Sequence, residues 1–241
     1  MNQTEFNSIL IKAFSDNGLG DLLSDEKADQ LYRFSNILVE TNKSFNLTAI
    51  TDEKDIILKH FADCATVLPH IPSGASIIDV GCGAGFPSLP IAIMRGDVKV
   101  TALDSTAKKI NFINTTAKEL LLGNINAITA RAEDFAKDHK ESFDVSISRA
   151  VARMNILDEL CLPLTRMGGK FIAMKSSKGE EEFSEARKGI TILGGRLDEV
   201  HRLSLTLEES SVEREIYIIS KITKTPPQYP RNYSQIAKKP L

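Results

Sequence analysis

The stretch DVGCGAGFPSLP, residues 79–90, places three glycines at alternate positions between an acid and a Phe-Pro pair. It follows a short apolar run, Ser76 to Val80, and opens a stretch of helical periodicity, an order that reads as a strand turning into a helix. Gly81, Gly83 and Gly85 lack a Cβ, so the chain can turn tightly there and a ligand can come close to the backbone. Pro87 suits the first turn of the helix that follows, whose free N–H groups favour an anionic group.

Downstream, short apolar runs alternate with amphipathic stretches. Val98 to Leu103, Ala127 to Ala130, Phe143 to Ser148 and Gly169 to Met174 are candidate strands, with helical patterns such as STAKKINFINTTAKELLL between them. That alternation predicts an α/β fold with a parallel, doubly wound sheet and right-handed crossovers. Two more strands, about Arg196 to Leu207 and Glu213 to Ile222, follow one another with no room for a helix, which predicts an antiparallel end to the sheet. Upstream, Phe6, Ile9, Leu10, Ala13 and Phe14, then Ala28, Leu31, Phe34, Ile37 and Leu38, recur at helical spacing. Ser24 is placed to cap the second of these helices, and a third helical stretch runs from about Glu53 to Leu68. The expected organisation is a small helical unit over residues 1–72, packed on an α/β domain over 73–222, with a basic tail over 223–241.

In a doubly wound sheet the ligand lies beyond the carboxyl ends of the strands. A dinucleotide fingerprint, G-x-G-x-x-G or A, would put a small residue where Phe86 stands, and the Asp79 carboxylate would repel a pyrophosphate. S-adenosylmethionine fits better: its carboxylate can face the loop amides while Asp79 draws the ammonium. Asp104, ending the second strand, suits ribose hydroxyls or a helix cap. After the third strand, ARAEDF places Ala132, Glu133 and Asp134 where an adenine would lie, as readers of its edge or as caps. After the fourth, SISRAVARM supplies Arg149 and Arg153, able to stack on a base or grip a carboxylate or phosphate. No Asp/Asn-Pro-Pro-aromatic motif for an exocyclic amine follows, and no cysteine nucleophile ends a strand. The fold class expected is therefore a Rossmann-like class I S-adenosylmethionine-dependent methyltransferase. It has a seven-stranded, mostly parallel sheet with an antiparallel last strand, plus the helical unit.

Composition narrows the setting. With 42% hydrophobic and 26% charged residues, and no apolar run near the roughly 18 residues that span a bilayer, no membrane is called for. The N-terminus lacks a basic region followed by a continuous apolar stretch, so a cytoplasmic protein is expected. Cys64, Cys82 and Cys161 are odd in number and far apart, and His60, His70, His139 and His201 are scattered. Neither set has metal-ligand spacing, so no metal is expected. The net charge of −2 is uneven: residues 1–70 hold eleven acids against six Lys/Arg, whereas residues 221–241 hold five Lys/Arg and no acid. Arg149, Arg153, Arg166, Lys170, Lys175 and Lys178 crowd the region between. Such segments suit local nucleic-acid contact or are merely solvated.

Six stretches then combine: NLTAI (Asn46 to Ile50), KHFADC (Lys59 to Cys64), DVGCGAGFPSLPIAI, RAED, SRAVA and GGKFIAMK, together spanning most of residues 36–222. With them the chain resembles the bacterial 16S rRNA N7-guanine methyltransferase G family, also known as glucose-inhibited division protein B. The glycine loop alone marks only the class; GAGFP with NLT upstream and RAVA downstream is specific to the family. Cys64 and Cys82 depart mildly from its pattern. The resemblance implies cofactor contacts at Gly81, Phe86, Ala132, Glu133 and Arg149, beside Asp79, Gly83, Gly85 and Asp104 from the residues themselves. It implies a substrate guanine at position ~527 of 16S rRNA, in the decoding-region hairpin, splayed out for methylation on N7. Asn46, His60, Asp63, Arg153 and Lys175 become RNA-side or structural residues, and Arg149, Arg153 and Lys175 the candidates for orienting the substrate.

Guanine N7 attacks through a lone pair and has no proton to lose, so positioning is the main requirement and no general base is needed. The modest net charge predicts methyl transfer on a partially or fully assembled 30S subunit, recognised by shape as well as phosphate; a monomer is expected. Other readings are a small-molecule methyltransferase, which would usually carry an aromatic lid where this chain has no tryptophan, and an assembly factor that holds the cofactor without transfer. Phe86 and Asp79 disfavour a nucleotide-dependent oxidoreductase.

Overall fold

The computed structural model describes residues 1–149, 152–176 and 179–241; Ala150 and Val151 of the SRAVA stretch and Lys178 of the basic region lie outside the described residues. The strands are β1 (Ser76–Val80), β2 (Lys99–Asp104), β3 (Ile125–Thr129), β4 (Phe143–Arg149), β5 (Thr165–Lys175), β6 (Gly195–Leu207) and β7 (Ser210–Lys221). They form one sheet in the order β3-β2-β1-β4-β5-β7-β6. All neighbouring pairs up to β5 are parallel, and β7 runs antiparallel to both β5 and β6. The strand order reverses between β1 and β4, so a crevice opens at their carboxyl ends.

Successive strand residues point to opposite faces, and the apolar pattern fills both. Ile77, Val145, Ile172 and Ile218 join one core, while Ile78, Phe171, Ala173 and Ile219 join the other. Over the first face lie α1 (Gln3–Asp16), α2 (Asp25–Asn42), α3 (Glu53–Ile56), α4 (Asp63–Ala65), α5 (Ser88–Met94) and α6 (Ala107–Glu119). Over the second lie α7 (Ala132–Phe135), α8 (Met154–Cys161), α9 (Gly179–Ile192) and α10 (Tyr233–Lys238). Buried Phe6, Leu10, Phe14, Leu31, Phe34 and Leu38 put the first two helices into the same core as β1. Ser24 caps α2, accepting from the Lys27 N–H.

Three features differ from the sequence reading. Between α3 and α4 the chain forms a π-helical segment, Ile57–Ala62; wider turns of this kind leave no mark on hydrophobic spacing. β5 begins four residues before Gly169, where Thr165 pairs with Phe143 across a bulge; Arg166 to Gly169 carry no apolar alternation that would reveal it. The basic tail is docked: Ile236 is fully buried in the second core, and Arg231 donates to the buried Glu159 carboxylate. No helix among the described residues is long and apolar enough to cross a membrane.

Candidate active site

At the carboxyl ends of β1, β2, β4 and β5 lies a cleft of about 740 Å³, within the range of small-molecule sites. Its floor is the loop after β1. Gly81 and Cys82 both donate backbone N–H to Leu103 O, at 2.8 and 3.1 Å, which binds the loop across the end of β2. Gly83 has φ +57°, and a Cβ there would meet open space on the cleft side. Gly85 differs: at φ +88° its Cβ would stand 2.6 Å from Leu89 Cδ1, so it is a packing glycine beneath the floor.

Asp104 holds the loop in place, accepting from Gly83 N–H at 3.0 Å and from Thr106 N–H at 2.8 Å, and it lines the cleft. A carboxylate offers about four lone-pair positions, so acceptor capacity for two hydroxyls is left. Asp79 is buried behind the loop rather than lining it. Its Oδ2 accepts from the Ser88 N–H and hydroxyl, fastening the start of α5, while Oδ1 is buried without a partner. Burial pushes its carboxyl up to about 7 against the opposing effect of those two bonds. The expected row of free loop amides is largely used up: Gly81, Cys82, Gly83, Gly85 and Phe86 all donate within the protein. Ala84 alone in the described loop keeps an unpartnered N–H.

Opposite the glycines, one network joins segments far apart in sequence. Arg149, ending β4, donates from Nη1 to Lys59 O at 3.1 Å and to Asp63 Oδ2 at 3.0 Å, and from Nη2 to His60 Nδ1 at 3.0 Å. Arginine only donates, so Nδ1 is the acceptor and the His60 proton is on Nε2, 3.1 Å from Thr48 Oγ1. Burial, then the Arg149 charge, drives the His60 imidazole down to about 3. Asp63 also accepts from Arg214 of β7 at 2.8 Å, so a buried carboxylate is held between two guanidinium groups. Phe86 completes the wall, stacked on His60 with ring centroids 4.1 Å apart and lying 5.1 Å below the Arg149 guanidinium carbon. The π-helical segment carries Lys59 and His60, and Asp63 follows it; the NLTAI loop is held by Asn42, whose Oδ1 accepts from Leu47 and Thr48 N–H.

Lys175, ending β5, lines the cleft but is committed, donating to Ala152 O at 2.6 Å and pairing with Glu182 at 2.8 Å. Arg153 lies outside on the surface, 2.7 Å from Glu185 of α9. Asn46 is exposed at the rim, and Ala132 and Glu133 are buried at the start of α7 without lining the cleft. The polar lining residues that sequence reading did not single out are Thr48, Lys59, Lys109, Ser176, Glu182 and Arg214. Thr48 and Lys59 had a signal, inside NLTAI and KHFADC; Arg214 is one charge in the alternating VERE of an antiparallel strand.

The sheet order with its antiparallel β7, the glycine turn after β1 and the acid ending β2 define a class I S-adenosylmethionine-dependent methyltransferase. Solved structures agree on the fold. A candidate transferase from Pyrococcus horikoshii superposes with a TM-score of 0.54 at 16% identity, over 66% of this chain and 62% of that one. A candidate methyltransferase from Bacillus halodurans gives 0.53 at 14%, over 67% and 100%. The family model described as rRNA small subunit methyltransferase G matches residues 27–212. Ribosomal RNA small subunit methyltransferase G of Clostridium botulinum is 42% identical over 98% of this chain and 99% of its own length, and that of Staphylococcus aureus 46% identical over 91% and 92%. The chain belongs to the ribosomal RNA small subunit methyltransferase G family.

Proposed function

We propose that this protein transfers the methyl group of S-adenosylmethionine to N7 of a guanine in 16S rRNA, at position ~527, presented as an unstacked base by the small ribosomal subunit. The observation that carries this reading is the cleft itself. It joins a glycine floor open at Gly83 to an acid with spare acceptor capacity, and every carboxylate lining it is already held by donors. Asp63 is held by Arg149 and Arg214, Asp104 by two backbone N–H groups, and Glu182 by Met154 N–H and Lys175. His60 is neutral with both ring nitrogens engaged. Burial raises the thiol pKa of Cys82, the one cysteine in the lining, so it is no nucleophile. A site without a poised base among the described residues suits an acceptor that attacks through a lone pair and gives up no proton.

When bound, S-adenosylmethionine supplies an electrophilic methyl group on a sulfonium. Asp104 would take the ribose hydroxyls, and the Ala84 N–H with the two donors that Arg149 has left would take the carboxylate. The partnerless Oδ1 of Asp79 favours a cationic ammonium above it, and Ala132 and Glu133, buried beyond the end of β3, stand on the side where the adenine would lie. Orientation of the base falls to the opposite wall of Phe86, His60 and Arg149, with Lys175 at the β5 end. At the rim, Phe45 is 48% exposed beside Asn46, with Lys108 Nζ 5.5 Å from its ring centroid. An aromatic face flanked by a cation suits stacking of a neighbouring nucleotide.

Incubation with methyl-labelled S-adenosylmethionine, with naked 16S rRNA and with small subunits lacking the modification, tests the assignment. Label is expected in the RNA of assembled subunits. Binding of the cofactor with no RNA label under any condition would turn the reading toward an assembly factor without transfer.

A further inference from the structure

Away from the cleft, the fold gathers three metal-ligating side chains, one of them far in sequence from the other two. His70 ends the short 3₁₀ turn Leu68–His70 that closes the N-terminal helices, while Glu199 and His201 belong to the edge strand β6. Two residues apart on a strand, Glu199 and His201 share one face. The bulge between Leu197 and Glu199 sets the register of that face. One ligand atom from each of the three residues lies within 4.8 Å of the others. The two imidazole rings are 4.4 Å apart between centroids, and His201 Nε2 is 2.7 Å from Glu199 Oε2.

We propose that His70, Glu199 and His201 form a transition-metal site of the zinc class that fastens the end of the helical unit to the edge strand. Two imidazoles and a carboxylate are the ligand set of zinc with one position left for water. Ligand atoms about 2.0–2.1 Å from a tetrahedral ion stand about 3.3 Å from each other, so rotamer adjustment of three partly exposed side chains closes the site. His201 coordinates through Nε2 in place of its bond to Glu199, its proton moving to Nδ1. Burial, then the neighbouring His201, disfavours a protonated His70; the Glu199 carboxylate opposes this and Lys170 of β5 adds to it. None of the three residues lines the cleft, so the ion has a structural role and no part in methyl transfer.

The test uses the full chain, stripped with a chelator and titrated calorimetrically with Zn²⁺ in a buffer that does not bind the ion. One saturable site and a raised melting temperature are expected. His70→Gln, Glu199→Gln and His201→Gln should each weaken binding by at least ~10-fold while cofactor affinity is unchanged, which also shows that the variants are folded. Replacing zinc by Co²⁺ should give the intense visible bands of a tetrahedral ion in wild type only. No saturable binding would overturn the proposal, as would binding of equal strength in the three variants, which would implicate Cys64, Cys82 or Cys161 instead.

Discussion

Gly83 and His60 both line the cleft, and each gives a prediction at the scale of one residue. A methyl group on Gly83 meets no protein atom within 4 Å but enters the space where a ligand must approach, from a backbone at φ +57°. Gly83→Ala should cost about 1 kcal/mol of stability through left-handed strain yet reduce cofactor affinity more than ~10-fold by occupying the floor; calorimetric melting and equilibrium dialysis separate the two. His60 is neutral when folded, with a pKa of about 3 against an ordinary 6.5. Between those values the unfolded chain binds the extra proton, so the His60 contribution to stability falls as pH is lowered through that window. Asp79, raised to about 7, acts in the opposite sense, its contribution being lost as pH rises toward 7. The stability gap between wild type and His60→Gln should therefore shrink as pH falls from about 6.5 toward 4, the Asp79 effect cancelling in the difference; urea titrations across that range check it. What the sequence made legible here was the loop and Asp104. The network of Thr48, His60, Asp63, Arg149 and Arg214 was not legible as a unit, because hydrogen-bond partners drawn from four segments leave no spacing to read.

At the scale of elements, short apolar runs located all seven strands, since each central strand must fill two cores and so is apolar at successive residues. They failed where that constraint lapses, at the first residues of β5 and in the π-helical segment. Composition left the positive charge of the C-terminal residues as nucleic-acid contact or mere solvation and carried no signal of their packing. There Arg231 meets a fully buried Glu159 at 2.5 Å, and Ile236 is completely enclosed. Arg231→Ala would leave that carboxylate unpaired in the core and should destabilise the protein by about 3 kcal/mol, measured by denaturant unfolding, without changing the cofactor affinity of the folded protein. The rim loop makes the complementary prediction. Phe45 is half exposed and does not line the cleft, so Phe45→Ala should raise the KM for the ribosomal subunit by roughly fivefold or more, the loss of about 1 kcal/mol of stacking. The cofactor dissociation constant should stay as it is; a parallel change in both would place Phe45 in the cofactor site instead.

For the whole molecule, the N-terminal helices complete the enzyme's wall as well as its core. Phe34 packs on Phe86, and the segment from Lys59 to Asp63 supplies the partners of Arg149. The acidic charge of residues 1–70 is thus partly internal to the fold: Asp63 is buried between guanidinium groups, and Asp29 accepts from Gln3 and Asn7. The central claim is that this arrangement orients a guanine for attack through N7 and does nothing else to it. The most direct test is to incubate the protein with isotopically labelled S-adenosylmethionine and undermodified small subunits, digest the 16S rRNA, and locate the label by mass spectrometry. A single labelled guanine near position ~527, modified on N7, is the predicted result for a base presented unstacked to the cleft. Label on an exocyclic amine, on a ribose, or spread over many guanines would contradict it.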